Sequence, residues 1–220
     1  MRKIEALVFD MDGLIFDSER VVQRSWNYAG EILGYGQIGE HIYNTLGFNV
    51  NRRRVYFQNV FGDDFPMDEF NILTRKRFYE IVDAENLEVK KGVRELLEYA
   101  KNQGMRIALA TSSRREYSTK ILTDAGIMQY FSGCVFGDMV ERAKPDPEIY
   151  MKACESIKMN PGSCMALEDA PAGIRSSCAA GMVPVMVPDL VEPDEEIQKL
   201  CYRKVESLLD VITLLEKENV

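Results

Sequence analysis

Short apolar runs, each halted by polar residues and followed by a helical stretch, constrain the fold of this chain more than any other feature. The runs cover residues 4–10, 105–110, 134–136, 164–167 and 183–187. Helical patterns cover 92–101, 116–124, 147–157, 171–180 and 207–216. Gly104, Gly126 and Gly181 close three of these helices, and Pro147 sits at a favourable first-turn position. Near-continuous apolar strands that alternate with helices predict a parallel sheet covered on both faces. After the first run the alternation stops. Helical patterns at 18–34, 38–46, 51–60 and 67–84 follow one another with no strand between them; Ser18 is placed to cap the first, and Gly34 to end it. A chain of 220 residues can bury a core and still carry such an insert. The all-helical block is therefore expected to form a separate lid over the sheet's edge.

Charge and composition narrow the functions. A net charge of −8 excludes a large phosphate-tracking surface, so no nucleic acid partner is expected. No apolar stretch approaches the ~18 residues of a membrane span, so no membrane partner is expected either. The run before Asp10 is too short and too acidic for a signal peptide. Five cysteines without a Cys-x-x-Cys pair read as reduced thiols, which points to the cytoplasm. A single histidine, His41, excludes mechanisms that need several His ligands. Nothing in the sequence demands a partner chain, and a monomer is expected.

In an open parallel sheet, ligands bind beyond the carboxyl ends of the strands. Asp10 and Asp12 follow the first run, Thr111, Ser112 and Ser113 the second, Lys144 the third, and Glu168 and Asp169 the fourth. Each group alone has a plain structural explanation: a turn carboxylate, a helix cap or a solvated lysine. Together they would converge on one spot. Carboxylates gathered there repel one another unless a cation joins them. Hard oxygen donors without histidine or paired cysteine select Mg2+ over zinc. The hydroxyls of Thr111 and Ser112 and the ammonium of Lys144 suit the remaining oxygens of a phosphoryl group.

The segments Phe-Asp10-Met-Asp12-Gly13, Ala-Thr111-Ser112, Ala143-Lys144-Pro145-Asp-Pro147 and Leu-Glu168-Asp169-Ala-Pro-Ala-Gly173 resemble the four motifs of the haloacid dehalogenase superfamily. The match is closest to its β-phosphoglucomutase-like branch with a helical cap. The resemblance implies an α/β fold, a Rossmann-like parallel-sheet core over 1–16 and 87–220 with an all-helical cap over 17–86. It implies Asp10 as the nucleophile that forms an aspartyl-phosphate, and Asp12 as the general acid and then base. Dehalogenase members lack an aspartate at that second place, so Asp12 favours phosphate esters. Thr111 and the Ser112 backbone N–H would hold phosphoryl oxygens, and Lys144 would offset the charge of the nucleophile. Asp169, the Asp10 carboxylate and the Asp12 carbonyl would bind Mg2+. Glu168 is either a further ligand or a support behind one. Gly13 would permit the turn after the nucleophile.

The cap is expected to choose the substrate. Arg52, in the Arg52-Arg53-Arg54 run after Gly47-Phe48, is the leading candidate for a second-phosphate contact. His41 and Asn44 are weaker candidates, Trp26, Tyr28 and Phe48 could line a pocket, and Met151 and Met159 read as packing residues. Mutases of this branch carry a histidine where this chain has Val22, which favours hydrolysis. Ala143 replaces a glycine common before the motif lysine. Lys76, beside Arg75 and Arg77, reads as part of an exposed face rather than as the Schiff-base lysine of phosphonate hydrolases. The expected activity is a Mg2+-dependent phosphatase acting on a small phosphorylated metabolite such as a sugar phosphate. The alternatives are a phosphosugar mutase and a non-catalytic phospho-ligand binding module.

Overall fold

The computed structural model describes residues 3–45, 50–85 and 87–218. In chain order, β1 (Ala6–Phe9) is followed by the helices α1 (Glu19–Leu33), α2 (Ile42–Thr45), α3 (Val50–Phe61) and α4 (Met67–Ala84). Then come α5 (Val93–Asn102), β2 (Arg106–Ala110), α6 (Arg115–Asp124), β3 (Gly133–Val135), α7 (Glu148–Ser156) and β4 (Cys164–Glu168). The chain continues through α8 (Pro171–Ala179), β5 (Val183–Met186), α9 (Glu195–Leu200), β6 (Arg203–Lys204) and α10 (Leu208–Glu218). It divides into two compact units, Met1–Phe16 with Glu88–Val220, and Asp17–Leu87.

The first unit holds the predicted parallel sheet, with six strands in the order β3-β2-β1-β4-β5-β6. Ala6, Leu7, Val8 and Phe9 of the central β1 are all fully buried, which explains why this strand is apolar at every position rather than at alternate ones. Leu7 pairs with Ile107 on one side and Met165 on the other. On one face, Val8, Ala108 and Ala166 pack with Ile149, Tyr150 and Ala153 of α7. The strand order reverses about β1, so loops at its carboxyl end open onto the crevice where such sheets bind ligands.

The second unit has helices and turns but no strand among its described residues. Val21, Ser25, Trp26 and Ala29 form the buried stripe of α1, at helical spacing. Trp26 meets Phe57 and Phe70 edge-on, with ring centroids 5.3 and 5.6 Å away, and Phe57 stacks on Phe65 at 4.9 Å. Gly34 ends α1 in the left-handed conformation, with φ of 82°, as the sequence predicts. None of the helices is long and apolar enough to cross a membrane among the described residues.

Several expectations need correction. Ser18 occupies the cap position of α1 but makes no side-chain cap bond; its carbonyl instead accepts from Val21 and Val22. The helix expected over 38–46 is a 3-10 turn, Gly39–His41, followed by the four-residue α2. The Gly39 N–H donates to Asn27 Oδ1 at 2.6 Å, and a side chain at this position would strike the Gln23 carbonyl, so this turn packs closely on α1. Leu46 lies outside the described residues. Pro147 caps α7 rather than opening it, and Glu168 ends β4 rather than following it. The sequence reading has neither α9 nor β6, although the Asp194 side chain caps α9 by accepting from the Ile197 N–H. Met151 is 54% exposed and does not pack, whereas Met159 lies against the α7 cluster. The five cysteines form no disulfide.

Phe57 is the hub of the aromatic cluster and is fully buried. Phe57→Ala should cost about 3–5 kcal/mol, the range for emptying such a site. Urea unfolding followed by far-UV circular dichroism measures this, and a loss under about 1 kcal/mol would contradict the packing described.

Candidate active site

The sheet register decides which side chains meet. Phe9 pairs with Leu167, so Asp10, one step beyond β1, lies beside Glu168 at the end of β4. The Asp10 N–H donates to the Leu167 carbonyl at 3.0 Å, which fixes its backbone. Asp10, Glu168 and Asp169 each offer a carboxylate oxygen, and these oxygens lie within 4.8 Å of one another. Asp10 is 7% exposed and Glu168 1%.

Lys144, carried by the segment between β3 and α7, reaches into this group. Its Nζ donates to Asp10 Oδ1 at 2.5 Å, to Glu168 Oε1 at 2.6 Å and to the Ala110 carbonyl at 3.0 Å. Both carboxylates keep the Lys144 pKa above its usual value despite the opposing effect of burial. Burial pushes the Asp10 carboxyl up to about 7; Glu168 adds to the rise and Lys144 opposes it. Three carboxylates against one ammonium leave two negative charges uncompensated when all are ionised. That balance, and a donor set of carboxylate oxygens alone, fits a hard divalent cation such as Mg2+.

Asp12 stands apart from the triad: its Oδ2 accepts from the Ser113 hydroxyl at 2.7 Å. The buried Thr111 Oγ1 accepts from the Ser113 N–H at 3.1 Å, and the Thr111 N–H donates to the Val135 carbonyl. Ser112 is exposed, and its carbonyl lies where a side chain on Gly137 would collide with it. The structure thus gathers Asp10, Lys144, Glu168 and Asp169, and links Asp12 to the Thr111 turn through Ser113.

The helical unit treats its candidates differently. Arg52 is exposed on α3, whereas Arg53 lines a cavity with Trp26. His41 Nδ1 is 2.7 Å from the Tyr56 hydroxyl and packs against Phe61, as part of the aromatic core. Asn44 is exposed, Tyr28 is at the surface beneath the Arg77 guanidinium, and Lys76 is exposed beside Glu80. Gly47 and Phe48 lie outside the described residues.

Some residues that shape the site carry no motif. Tyr150 is fully buried in α7 and donates its hydroxyl to Glu168 Oε1 at 2.5 Å. Burial and the nearby charges of Glu168 and Asp10 raise its phenol well above the usual range, so it remains a donor. Lys90 Nζ donates to the Gly13 carbonyl at 2.6 Å and pairs with Asp189 at 2.7 Å, which clasps the loop after β1 to the loop after β5. Ser113 is in plain view beside Ser112, but its sequence position gives no sign that it bonds Asp12. Gly13 has a φ of 83°, and a Cβ there would collide with the Asp169 carboxylate. Gly173 is held just as tightly, because its Cβ would land on the Glu168 carboxylate.

Comparison with known proteins agrees with this arrangement. The haloacid dehalogenase-like hydrolase family matches residues 7–187. YhcW of Bacillus subtilis is 31% identical over 94% of this chain and 97% of its own length. A Thermotoga maritima relative named phosphorylated carbohydrates phosphatase is 29% identical over 81% of this chain and 82% of its own. The structure of CbbY from Rhodobacter sphaeroides in complex with xylulose-(1,5)bisphosphate superposes with a TM-score of 0.76 at 24% identity, covering 94% of this chain and 96% of that one.

Gly173→Ala should push Glu168 off Tyr150 and Lys144 while leaving the sheet intact. Turnover should fall by about 10²-fold, the cost of misplacing a reacting constellation by an ångström. Steady-state kinetics alongside circular dichroism tests this; wild-type turnover in a folded variant would contradict the role given to the Glu168 position.

Proposed function

The chain belongs to the haloacid dehalogenase-like hydrolases and acts on phosphate esters, and from that premise we propose that it is a Mg2+-dependent phosphatase working through an aspartyl-phosphate on a small phosphorylated metabolite, a sugar phosphate. The observation that carries the reading is the Lys144 ammonium shared between Asp10 and Glu168, with Asp169 alongside. A buried carboxylate held against a lysine is poised to meet an anionic phosphoryl group without prohibitive repulsion.

Asp10 attacks phosphorus, and the bond from phosphorus to the ester oxygen breaks as Asp12 delivers a proton to the departing alcohol. Asp12 then takes a proton from water, which attacks the aspartyl-phosphate, releases inorganic phosphate and restores the Asp10 carboxylate. The Ser113 hydroxyl, bonded to Asp12 Oδ2, holds that carboxyl in one orientation. Thr111 and the Ser112 N–H hold phosphoryl oxygens. Asp10, Asp169 and the Asp12 carbonyl would hold Mg2+, with Glu168 either joining them or fixing Lys144; the ion supplies positive charge for the transferring group. The substrate class rests on the names of the relatives, one a phosphatase of phosphorylated carbohydrates and one solved with a sugar bisphosphate.

A panel of sugar phosphates, assayed with Mg2+ and with chelator, tests the activity. Phosphate release that needs Mg2+ is the expected result. An isomerised phosphosugar formed only with a bisphosphate activator would replace the phosphatase with a mutase, and no turnover at all would leave a binding module. Asp10→Asn should lose more than the about 10²–10³-fold that a single hydrogen-bond donor is worth, with the fold unchanged. Substantial residual turnover would remove the covalent step.

The raised Asp10 pKa sets a pH dependence. The folded metal-free protein holds this proton up to about pH 7, whereas an ordinary aspartate loses it near 3.8. The unfolded chain thus releases the proton first, and stability from this group falls as pH rises between those values. Mg2+ needs the ionised carboxylate, so its stabilising effect should grow over the same window. Melting temperatures measured with and without Mg2+ should differ more at pH 8 than at pH 5.5; an equal or opposite difference would count against Asp10 as a ligand.

A further inference from the structure

The reaction proposed above makes no use of the Lys90–Asp189 pair, yet Lys90 grips the turn after Asp12 twice. Its backbone N–H donates to the Ile15 carbonyl at 2.8 Å, and its Nζ donates to the Gly13 carbonyl at 2.6 Å. The turn is also closed on itself: the Gly13 N–H donates to the Phe16 carbonyl at 3.1 Å, and the Ile15 N–H to the Met11 carbonyl at 2.8 Å. Phe16 forms an isolated bridge with Val89, the residue before Lys90. Asp189 arrives from the loop after β5. Two residues before it, the Val187 N–H donates to the Glu168 carbonyl at 2.7 Å, so that loop is anchored on the end of β4. Asp189 Oδ1 lies 2.7 Å from Lys90 Nζ, whereas its Oδ2 is buried without a hydrogen-bond partner among the described residues.

Stability alone is a poor reason for this pair. A largely buried ion pair loses much of its Coulomb gain to desolvation, and a buried carboxylate oxygen without a donor adds a further penalty. What the pair does achieve is to fix one backbone carbonyl, because an ammonium tied to Asp189 has little freedom to leave Gly13. Gly13 follows Asp12 directly and has no slack on its other side, where a Cβ would collide with the Asp169 carboxylate. Held by Lys90 and packed against Asp169, Gly13 restricts where the Asp12 backbone can go. The Ser113 hydroxyl, donating to Asp12 Oδ2 at 2.7 Å, holds the other end of the same residue.

We infer that Lys90, anchored by Asp189, is a positioning residue for Asp12: it holds the turn at Gly13 so that the Asp12 carboxyl stands where the departing alcohol needs its proton. The inference rests on the phosphatase reading above and adds to it a residue outside the four motif segments.

The leaving group separates positioning from packing. A sugar alkoxide departs only with a proton, whereas p-nitrophenolate departs without one, so a misplaced general acid penalises the sugar phosphate above all. For both esters kcat/KM reports the step that breaks the ester bond. Lys90→Met keeps the length of the side chain and the N–H bond to Ile15 and removes the ammonium. In the full protein with Mg2+, it should lower kcat/KM for the most active sugar phosphate of the panel by about 10²-fold, the cost of displacing a reacting group by an ångström. The fall for p-nitrophenyl phosphate should be at least about tenfold smaller. Asp189→Asn keeps the shape of the pair and loses its charge, and should show the same bias between esters in smaller measure. Circular dichroism checks both folds, and the Asp189 variant decides if the Lys90 variant unfolds. An equal fall on the two esters, or no fall, in a folded variant overturns the inference. Failure of the phosphatase reading has its own signature: wild type that releases phosphate from neither ester with Mg2+, which removes the reading and the inference together.

Discussion

Lys144 sits between two buried carboxylates that the sheet forces together. β1 and β4 are neighbours in register, so Asp10 and Glu168 cannot separate without unpairing the central strands. Like charges at that distance, out of water, would repel strongly and drive at least one carboxyl to keep its proton. The ammonium offsets part of that repulsion and is itself held charged by both partners. A buried ion pair of this kind is a weak source of stability, because desolvation cancels much of the Coulomb gain. Its consequence is chemical: an incompletely compensated acidic pocket whose oxygen donors suit a hard divalent cation.

The same cluster explains sequence features some distance from the charges. Gly13 and Gly173 occupy positions where a Cβ would meet Asp169 and Glu168, so the backbone gives up side chains to make room for carboxylates. Gly13 also has a positive φ, which links the turn after Asp10 to the packing of the carboxylate group. Tyr150 comes from the opposite direction. It belongs to the apolar face of α7 against the sheet, and its hydroxyl alone reaches the charged group. Lys90 and Asp189 clasp the loop that Gly13 begins, so the position of Asp12 depends on the far end of the sheet as well.

The alternation of apolar runs and helices was enough to predict a parallel sheet, and the identity of residues after each run was enough to nominate Asp10, Thr111, Lys144 and Asp169. Strand ends are legible because burial on both faces leaves an unbroken apolar signal, and polar residues stop it abruptly. Tyr150 was not legible, and neither was the bond of Ser113 to Asp12, because a tyrosine in an apolar helix face and a serine after another serine look the same whether or not they bond a carboxylate. The turn at Gly39–His41 was hidden for a different reason: packing on α1, rather than local preference, decides it. The segment after β5 was missed because α9 is only six residues long and β6 two, too short for any periodicity to register.

The run Arg52-Arg53-Arg54 shows where sequence reasoning stops. Successive helical residues are turned by about 100°, so three identical side chains enter three environments. Arg52 is exposed, Arg53 lies against Trp26 in the cavity wall, and Arg54 pairs with Asp68. Position after Gly47-Phe48 singles out the first, whereas spacing alone does not show that the second lies against a tryptophan. The helical phase is set by the aromatic cluster around Phe57, whose burial fixes which arginine turns inward. The two units thus differ in charge: carboxylates gather at the sheet, whereas the charged side chains among the described lining of the helical pocket are Arg53 and Arg75.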